Sequence, residues 1–380
     1  MPFMLAFSII AVAITAITYK TYMGYGEYSI LAKLLFLLFL IISITAPVII
    51  YIMHRALPDN PISAYTKPFY FLFGFVIILF LVTFLRDIIW SIIDFIRHVS
   101  LEEMKNPIHL QKANIITIIA CLGICLYGYY EAEKTAQIVA YDITSPKIKK
   151  PTKVVMLSDL HIDIDTSSKY IQKLVERVNT LKPDAIVIVG DVIDNTPFVL
   201  SKQMDELEKL KATDGVYVVL GNHEFYNGGL DWGMKFGQMR FNFLNNHGMK
   251  LNDSGIYIAG IPDINTASML KMPIKMENAL YSADKNDYRI LLSHTPKIAT
   301  GVNKDNVDLQ LSAHTHGGQI YPFHYMVKQH NDGHIAGFYD VDGVRLYVSR
   351  GTRYWGPPLR LLAPSEITVF NFKPEPENAK

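Results

Sequence analysis

The sequence predicts an α/β domain carried behind an N-terminal all-α membrane region, and three observations predict it. Charge is unevenly shared: residues 1–130 hold eight Lys/Arg and six Asp/Glu, leaving 28 and 29 for the rest of the 380-residue chain. Four stretches of 18 to 20 residues in the first part carry no charge. From about Glu131 onward, short β-rich apolar runs alternate with helical patterns, the signature of sheets covered by helices.

The uncharged stretches are Met1–Tyr19, Leu34–Met53, Pro68–Leu85 and Ala113–Tyr130. Each approaches the roughly 20 residues that span a hydrocarbon core as helix, and none shows the polar face of a soluble core helix. Four transmembrane helices are expected in a multi-pass protein of the cell membrane. The first lacks the basic n-region of a signal peptide, so it is read as retained. Arg86–Arg97, where charges interrupt apolar residues at helical spacing, is expected as an interfacial amphipathic helix rather than a continuation of the third span. Flanking cations divide six against five between the two sides, so the membrane side of the polar part is undetermined. Cys121 and Cys125, four apart on one helix face, are read as buried small apolar residues rather than a metal pair.

Residues 131–152, with Pro146, Pro151 and a lysine cluster, read as a linker into a domain over 153–373, followed by a tail over 374–380. Expected strands in this domain are Val154–Leu157, Ala185–Val189, Gly215–Leu220, Gly255–Ala259, Arg289–Leu292, Val307–Leu311, Val344–Val348 and Glu366–Phe372. Expected helices include Ser168–Leu181 and Ser201–Lys211. The near-neutral charge argues against nucleic acid as a partner, since a phosphate backbone is met by a basic face.

Five polar motifs follow these runs: Asp159-Leu160-His161, Gly190-Asp191-Val192-Ile193-Asp194, Gly221-Asn222-His223-Glu224, Ser293-His294 and His314-Thr315-His316. Asp159 and His161 leave one strand two residues apart and can aim at one point. Asp191 is a carboxylate able to bridge two cations, Asn222 offers an amide oxygen, and His294, His314 and His316 offer imidazole nitrogens. Mixed N/O donors suit Mn, Fe or Zn; the absence of Cys excludes a thiolate zinc site in this part. Each motif alone reads as an ordinary turn or loop. Five together at strand ends do not.

This ordered set resembles the calcineurin-like metallophosphoesterase superfamily, whose pattern is D-x-H, G-D-x-x-D, G-N-H-[E/D], a lone H, then G-H-x-H. The resemblance covers about Lys153 to Lys373. Ala313–Gln319 and Gly351–Arg360 look like the bacterial membrane-attached branch. The resemblance implies a four-layer αββα sandwich holding two divalent metal ions. Asp159, His161, Asp191 and His316 would hold one ion; Asp191, Asn222, His294 and His314 would hold the other, with Asp191 bridging. His223 would protonate the leaving oxygen, and Asp194 would orient His223. Ala313 departs from the family's glycine, which matters only if that backbone position requires a positive φ.

The implied reaction is hydrolysis of a phosphodiester, phosphomonoester or pyrophosphate bond. Paired cations generate hydroxide from a shared water at neutral pH and neutralise phosphoryl oxygens, and a histidinium held by a carboxylate supplies the leaving group's proton. Related branches cleave a UDP-diacylglucosamine lipid precursor, so a lipid-linked substrate at the lipid bilayer enters the expectation. Arg353, Trp355 and Arg360, in a Gly/Pro-rich loop, are candidate substrate contacts, since Arg can pair with phosphate and Trp can stack. Two other readings are a transporter or receptor with a regulatory metal-binding domain, and a degenerate domain without turnover. The scarcity of ionisable groups in the spans weighs against the first, and intact ligands with an intact His223 weigh against the second.

Overall fold

The structure is a computed structural model describing residues 2–56, 66–98, 107–298 and 301–376. Contacts divide it into two compact units, Met1–Tyr130 with Gly356–Leu359, and Glu131–Trp355 with Arg360–Lys380.

The helical unit contains α1 (Pro2–Met23), α2 (Ile30–Ala56), α3 (Thr66–Ile96) and α4 (Pro107–Glu133). Stretches within α2, α3 and α4 are long and apolar enough to cross a membrane; α1 contributes a shorter apolar stretch, Ser8–Met23. Of the four expected spans, three are thus met by length among the described residues. Leu40, Ile44 and Val76 form the apolar centre of the bundle, while most of the other Ile, Leu and Phe side chains point outward.

The expected interfacial helix is corrected: Arg86–Ile96 continues α3 without a break. The charged positions are absorbed locally. The Arg86 guanidinium pairs with Asp87 at 2.7 Å and donates to Asn114 Oδ1 (2.9 Å) and Thr117 Oγ1 (3.0 Å) on α4. No Pro or Gly follows Gly74 within the helix to end it earlier. Cys121 and Cys125 are buried free thiols in α4.

The second unit holds two six-stranded sheets. The first runs, in spatial order, β1 (Gln137–Ser145), β12 (Glu366–Pro374), β2 (Thr152–Leu157), β3 (Ala185–Val189), β4 (Val216–Val219) and β5 (Asn242–Phe243). The second runs β10 (Gly337–Val341), β11 (Val344–Val348), β9 (Leu309–Ser312), β8 (Tyr288–Leu292), β7 (Ile256–Gly260) and β6 (His247–Leu251).

The expected linker is a second correction. Gln137–Ser145 is β1, paired parallel with β12 from Gln137↔Glu366 to Ser145↔Pro374. It is an edge strand, so half its residues face outward; Pro146 and the lysines follow the strand rather than replace it. Only Lys134, Thr135 and Ala136 separate it from α4.

Period-two alternation builds the layers. Val154 and Met156 of β2, with Ala185, Val187 and Val189 of β3, face Ile258, Ile290, Leu292 and Leu311 of the other sheet. Val155, Leu157, Ile186 and Ile188 face outward onto α5 (Ser168–Thr180), α6 (Ser201–Leu207) and α8 (Leu230–Gln238) through Leu174, Leu207 and Phe236. On the second sheet's outer face, Tyr257, Ala259 and Leu291 pack on Met276 and Ala279 of α10 (Met276–Ala279). The result is the four-layer αββα sandwich. Each fully buried Val, Leu or Ile contributes about 1.5–3 kcal/mol. Strands β2, β3 and β4 run parallel in one sheet and β7, β8, β9 and β11 in the other, so their carboxyl ends collect the loops that carry the polar motifs.

Candidate metal centre

All five motifs lie at those carboxyl ends. Asp159 and His161 follow β2, Asp191 and Asp194 follow β3, and Asn222 and His223 open α7 (Asn222–Tyr226) after β4. His294 follows β8, and His314 and His316 follow β9. The expected ligands converge in two groups, Asp159/His161/His316 and Asp191/His294/His314, and a third group, His161/Asp194/His223, shares His161 with the first; in each the donor atoms lie within 4.8 Å of one another. Asp191 Oδ2 links the groups, 3.1 Å from His294 Nε2 and 3.8 Å from His161 Nε2. His161 Nε2 faces His316 Nε2 at 3.1 Å, and Asp159 Oδ1 lies 3.6 Å from His316 Nε2.

The backbone is bent to achieve this. Asp159 (φ +49°), His161 (+42°), Asp191 (+50°), His314 (+72°) and His316 (+51°) all adopt the left-handed region. Few non-glycine residues do so, and each costs about 1–3 kcal/mol. Their concentration at five of the seven expected ligands marks where strain is retained for chemistry. Ala313 has no positive φ, so alanine there costs nothing in backbone conformation. Two motif glycines are required by space. A Cβ on Gly190 (φ +74°) would sit 2.6 Å from His294 Nδ1, and one on Gly221 would strike the Asp191 carboxylate.

The ring orientations are set by partners behind the ligands, as metal-binding histidines require. His294 Nδ1 lies 2.8 Å from the Val189 carbonyl, and His316 Nδ1 3.3 Å from the Arg353 carbonyl. Asp194 Oδ1 lies 2.8 Å from His161 Nδ1 and 2.6 Å from His223 Nδ1. Burial opposes the charge on Asp194, yet these two imidazoles hold its carboxyl well below the usual carboxylate range. Burial likewise opposes a charged His223, but Asp191 and Asp194 push its imidazole up to about 9.

Two buried polar atoms here have no hydrogen-bond partner, Asp159 Oδ2 and Asn222 Oδ1, while His294 Nε2 meets the Asp191 carboxylate at 3.1 Å. Leaving such atoms unsatisfied costs about 1–3 kcal/mol each. Carboxylate and amide oxygens stranded in this way, beside convergent imidazoles, are what divalent cations satisfy. The residues present therefore fit the expected ions.

Sequence reasoning assigned no role to Glu224, although it lies within a recognised motif. Glu224 is fully buried and accepts from the N–H groups of Asp191 (3.0 Å), Val192 (2.6 Å), Ile193 (3.2 Å) and Gly221 (2.7 Å). It fastens the Asp191 turn to the Asn222 turn. Burial and the Asp191 charge push its carboxyl up to about 7, against the pull of those donors. Trp232 adds a second fastening: its Nε1 donates to the carbonyls of Asn195 and Asn227 at 3.1 Å each.

Arg353 and Arg360 are the two arginines expected to contact substrate. Both are buried. Arg353 donates to the His161 carbonyl (2.7 Å) and Thr166 Oγ1 (2.9 Å). Arg360 donates to the carbonyls of His316, Ala363 and Arg350. They hold the ligand loops through their terminal guanidinium N–H groups. Trp355 is different: it is half exposed, and its ring centre lies 5.6 Å from that of His223. Its N–H donates to Gln319 Oε1 at 2.9 Å, and its carbonyl accepts from Gln319 Nε2 at 2.8 Å. Tyr226 is also half exposed, 5.5 Å from His223. Trp355 thus sits beside the expected proton donor, with Tyr226 as a neighbour.

Residues 152–318 match the calcineurin-like phosphoesterase family. An uncharacterized metallophosphoesterase of Campylobacter jejuni is 39% identical over 248 residues, 64% of this chain and 64% of that protein. One from Helicobacter pylori strain 26695 is 32% identical over 286 residues, 74% of this chain and 75% of its own length. A Danio rerio transmembrane protein with metallophosphoesterase domain is 30% identical over 277 residues, 69% of this chain and 63% of that protein. The chain belongs to the calcineurin-like phosphoesterase family. Its match spans just under two thirds of the Campylobacter and Danio relatives.

Proposed function

We propose that the chain is a membrane-anchored hydrolase acting on a phosphodiester, phosphomonoester or pyrophosphate bond with two divalent ions, of Mn, Fe or Zn character. The observation that carries this reading is the pair of stranded buried oxygens, Asp159 Oδ2 and Asn222 Oδ1, beside the convergent His294–Asp191 and His223–Asp194 pairs. Asp159, His161, Asp191 and His316 would hold one ion, and Asp191, Asn222, His294 and His314 the other. Ions held by these residues would supply a hydroxide nucleophile and neutralise phosphoryl oxygens. His223, charged through its contact with Asp194, carries the proton for the departing oxygen at its free ring nitrogen. Asp194 keeps that ring and the His161 ring oriented together. Strained ligand loops, braced by Glu224, Arg353 and Arg360, hold the donors in place before substrate arrives.

Three helices of spanning length and the similarity to a transmembrane protein support anchorage in the cell membrane, multi-pass. That location brings lipid-linked substrates within reach, including one of the UDP-diacylglucosamine type. The test is turnover of bis-p-nitrophenyl phosphate by the purified full chain with Mn²⁺, compared with His223→Ala. The reading expects turnover in the wild type and its loss in the variant with metal still bound. Loss of metal together with activity would assign His223 to the ligand set, and no turnover with any divalent metal would leave a non-catalytic domain.

A further inference from the structure

We propose that Trp355 and Tyr226 form a seat for a planar aromatic ring, aryl or nucleoside, carried by the oxygen that departs beside His223. The inference rests on the hydrolytic reading and names the substrate class of the same site. Three rings surround the His223 imidazole. His161, 4.6 Å away between ring centres, is buried on the side of the expected ions. Trp355 at 5.6 Å and Tyr226 at 5.5 Å are each 53% exposed. Asp194 occupies His223 Nδ1, and the imidazole itself is mostly buried. The solvent side of His223 is therefore bordered by the two half-exposed rings. A departing oxygen within hydrogen-bond reach of the imidazole, about 2.6–3.2 Å, carries its own substituent into the space beside them.

Both residues are fixed to ligand-bearing segments. The Gln319 side chain grips the Trp355 backbone twice, accepting from its N–H at 2.9 Å and donating to its carbonyl at 2.8 Å. Gln319 follows the His314–His316 turn and donates its own N–H to the His316 carbonyl at 3.1 Å. Tyr226 closes α7 one turn after His223, with α9 (Ile264–Leu270) alongside. Exposed aromatic faces receive acyl chains, quaternary cations or flat rings, and the neighbours here select the ring. An acyl chain gains from continuous apolar lining, whereas the side-chain amides of Gln319 and Asn227 adjoin these two residues. A cation binds aromatic faces but would share this space with the proton that His223 delivers, and the neighbouring Asp194 carboxylate is already divided between two imidazoles. A flat ring stacks on Trp or Tyr and turns polar edges to the amides; such stacking corresponds to about five- to hundredfold in affinity.

The test uses the full chain with Mn²⁺ and four competitors of bis-p-nitrophenyl phosphate turnover: phenyl phosphate, uridine monophosphate, glycerol phosphate and phosphocholine. The same compounds are titrated against tryptophan fluorescence, which needs no turnover. Trp90 and Trp232 are the other tryptophans, so the response of Trp355 is the part lost in Trp355→Phe. The proposal expects the two ring-bearing compounds to bind at least about fivefold tighter than the others, with a fluorescence response to them alone. Trp355→Ala should abolish the preference, Tyr226→Ala should narrow it, and Trp355→Phe should keep most of it. Equal binding of all four overturns the proposal, as does a preference that survives Trp355→Ala, or tightest binding of glycerol phosphate or phosphocholine. Uridine monophosphate ahead of phenyl phosphate supports the seat with a nucleoside as the source of the ring; equality of the two supports it with any aryl group. A fluorescence response to the ring-bearing compounds without turnover in any divalent metal keeps the seat and overturns the hydrolytic reading; turnover without that response does the reverse.

Discussion

At the scale of single residues, His223 and the two arginines make opposite predictions. His223 Nδ1 lies 2.6 Å from Asp194 Oδ1. Replacing it with Ala should lower kcat by about 10²–10⁴, the usual contribution of a positioned proton donor, with metal content by mass spectrometry unchanged. Arg360 is buried and spends its guanidinium on backbone carbonyls. Arg360→Met should therefore destabilise the fold by on the order of 3 kcal/mol through stranded acceptors, read as a fall in melting temperature. KM for a soluble phosphodiester should stay within about twofold in the remaining folded protein, a range set by the lack of any substrate contact rather than by binding energy. A large rise in KM without loss of stability would make Arg360 a substrate contact. The sequence could not separate these outcomes. An arginine in a Gly/Pro-rich loop looks solvent-facing until the fold brings His316, 44 positions away, against it.

At the scale of elements, legibility followed burial. Ala185–Val189 is buried on both faces and reads as an uninterrupted apolar run, so its ends were evident. Val344–Val348 was equally plain. The strands that escaped notice are edges or fragments: β1, β6 and β10 expose part of their length, and β5 has two residues. Half-buried strands carry a weaker pattern because one face answers to water rather than to the core. The positive φ angles at Asp159, His161, Asp191, His314 and His316 were not legible either, since none of these is a glycine. The brace between two ligand turns belongs to this scale. Glu224→Gln keeps shape but turns an amide N–H₂ toward backbone donors that now meet a carboxylate oxygen. It should cost about 1–3 kcal/mol per donor left unmatched and weaken metal affinity roughly 10–100-fold, the effect typical of outer-shell changes. Unchanged affinity by metal titration would remove Glu224 from the account.

At the scale of the whole molecule, three residues of chain separate the last helix of the helical unit from the first strand, and the sandwich collects its candidate ligands at one set of strand ends. Binding of ions to the folded state alone stabilises it by mass action, about 2.7 kcal/mol at a hundredfold excess over Kd. Stripping the protein with a chelator should lower its melting temperature, and Mn²⁺ should restore it. Identical melting curves with and without chelator would mean that the stranded donors are satisfied in some other way.

If two cations, jointly held, make this site a phosphoesterase, activity must track their binding. Stepwise addition of Mn²⁺ to the metal-stripped full chain, with bis-p-nitrophenyl phosphate turnover recorded at each step, measures this. Turnover should rise until two equivalents are bound and then level off. Saturation of binding at two equivalents without turnover, or turnover in the metal-free protein, would contradict it.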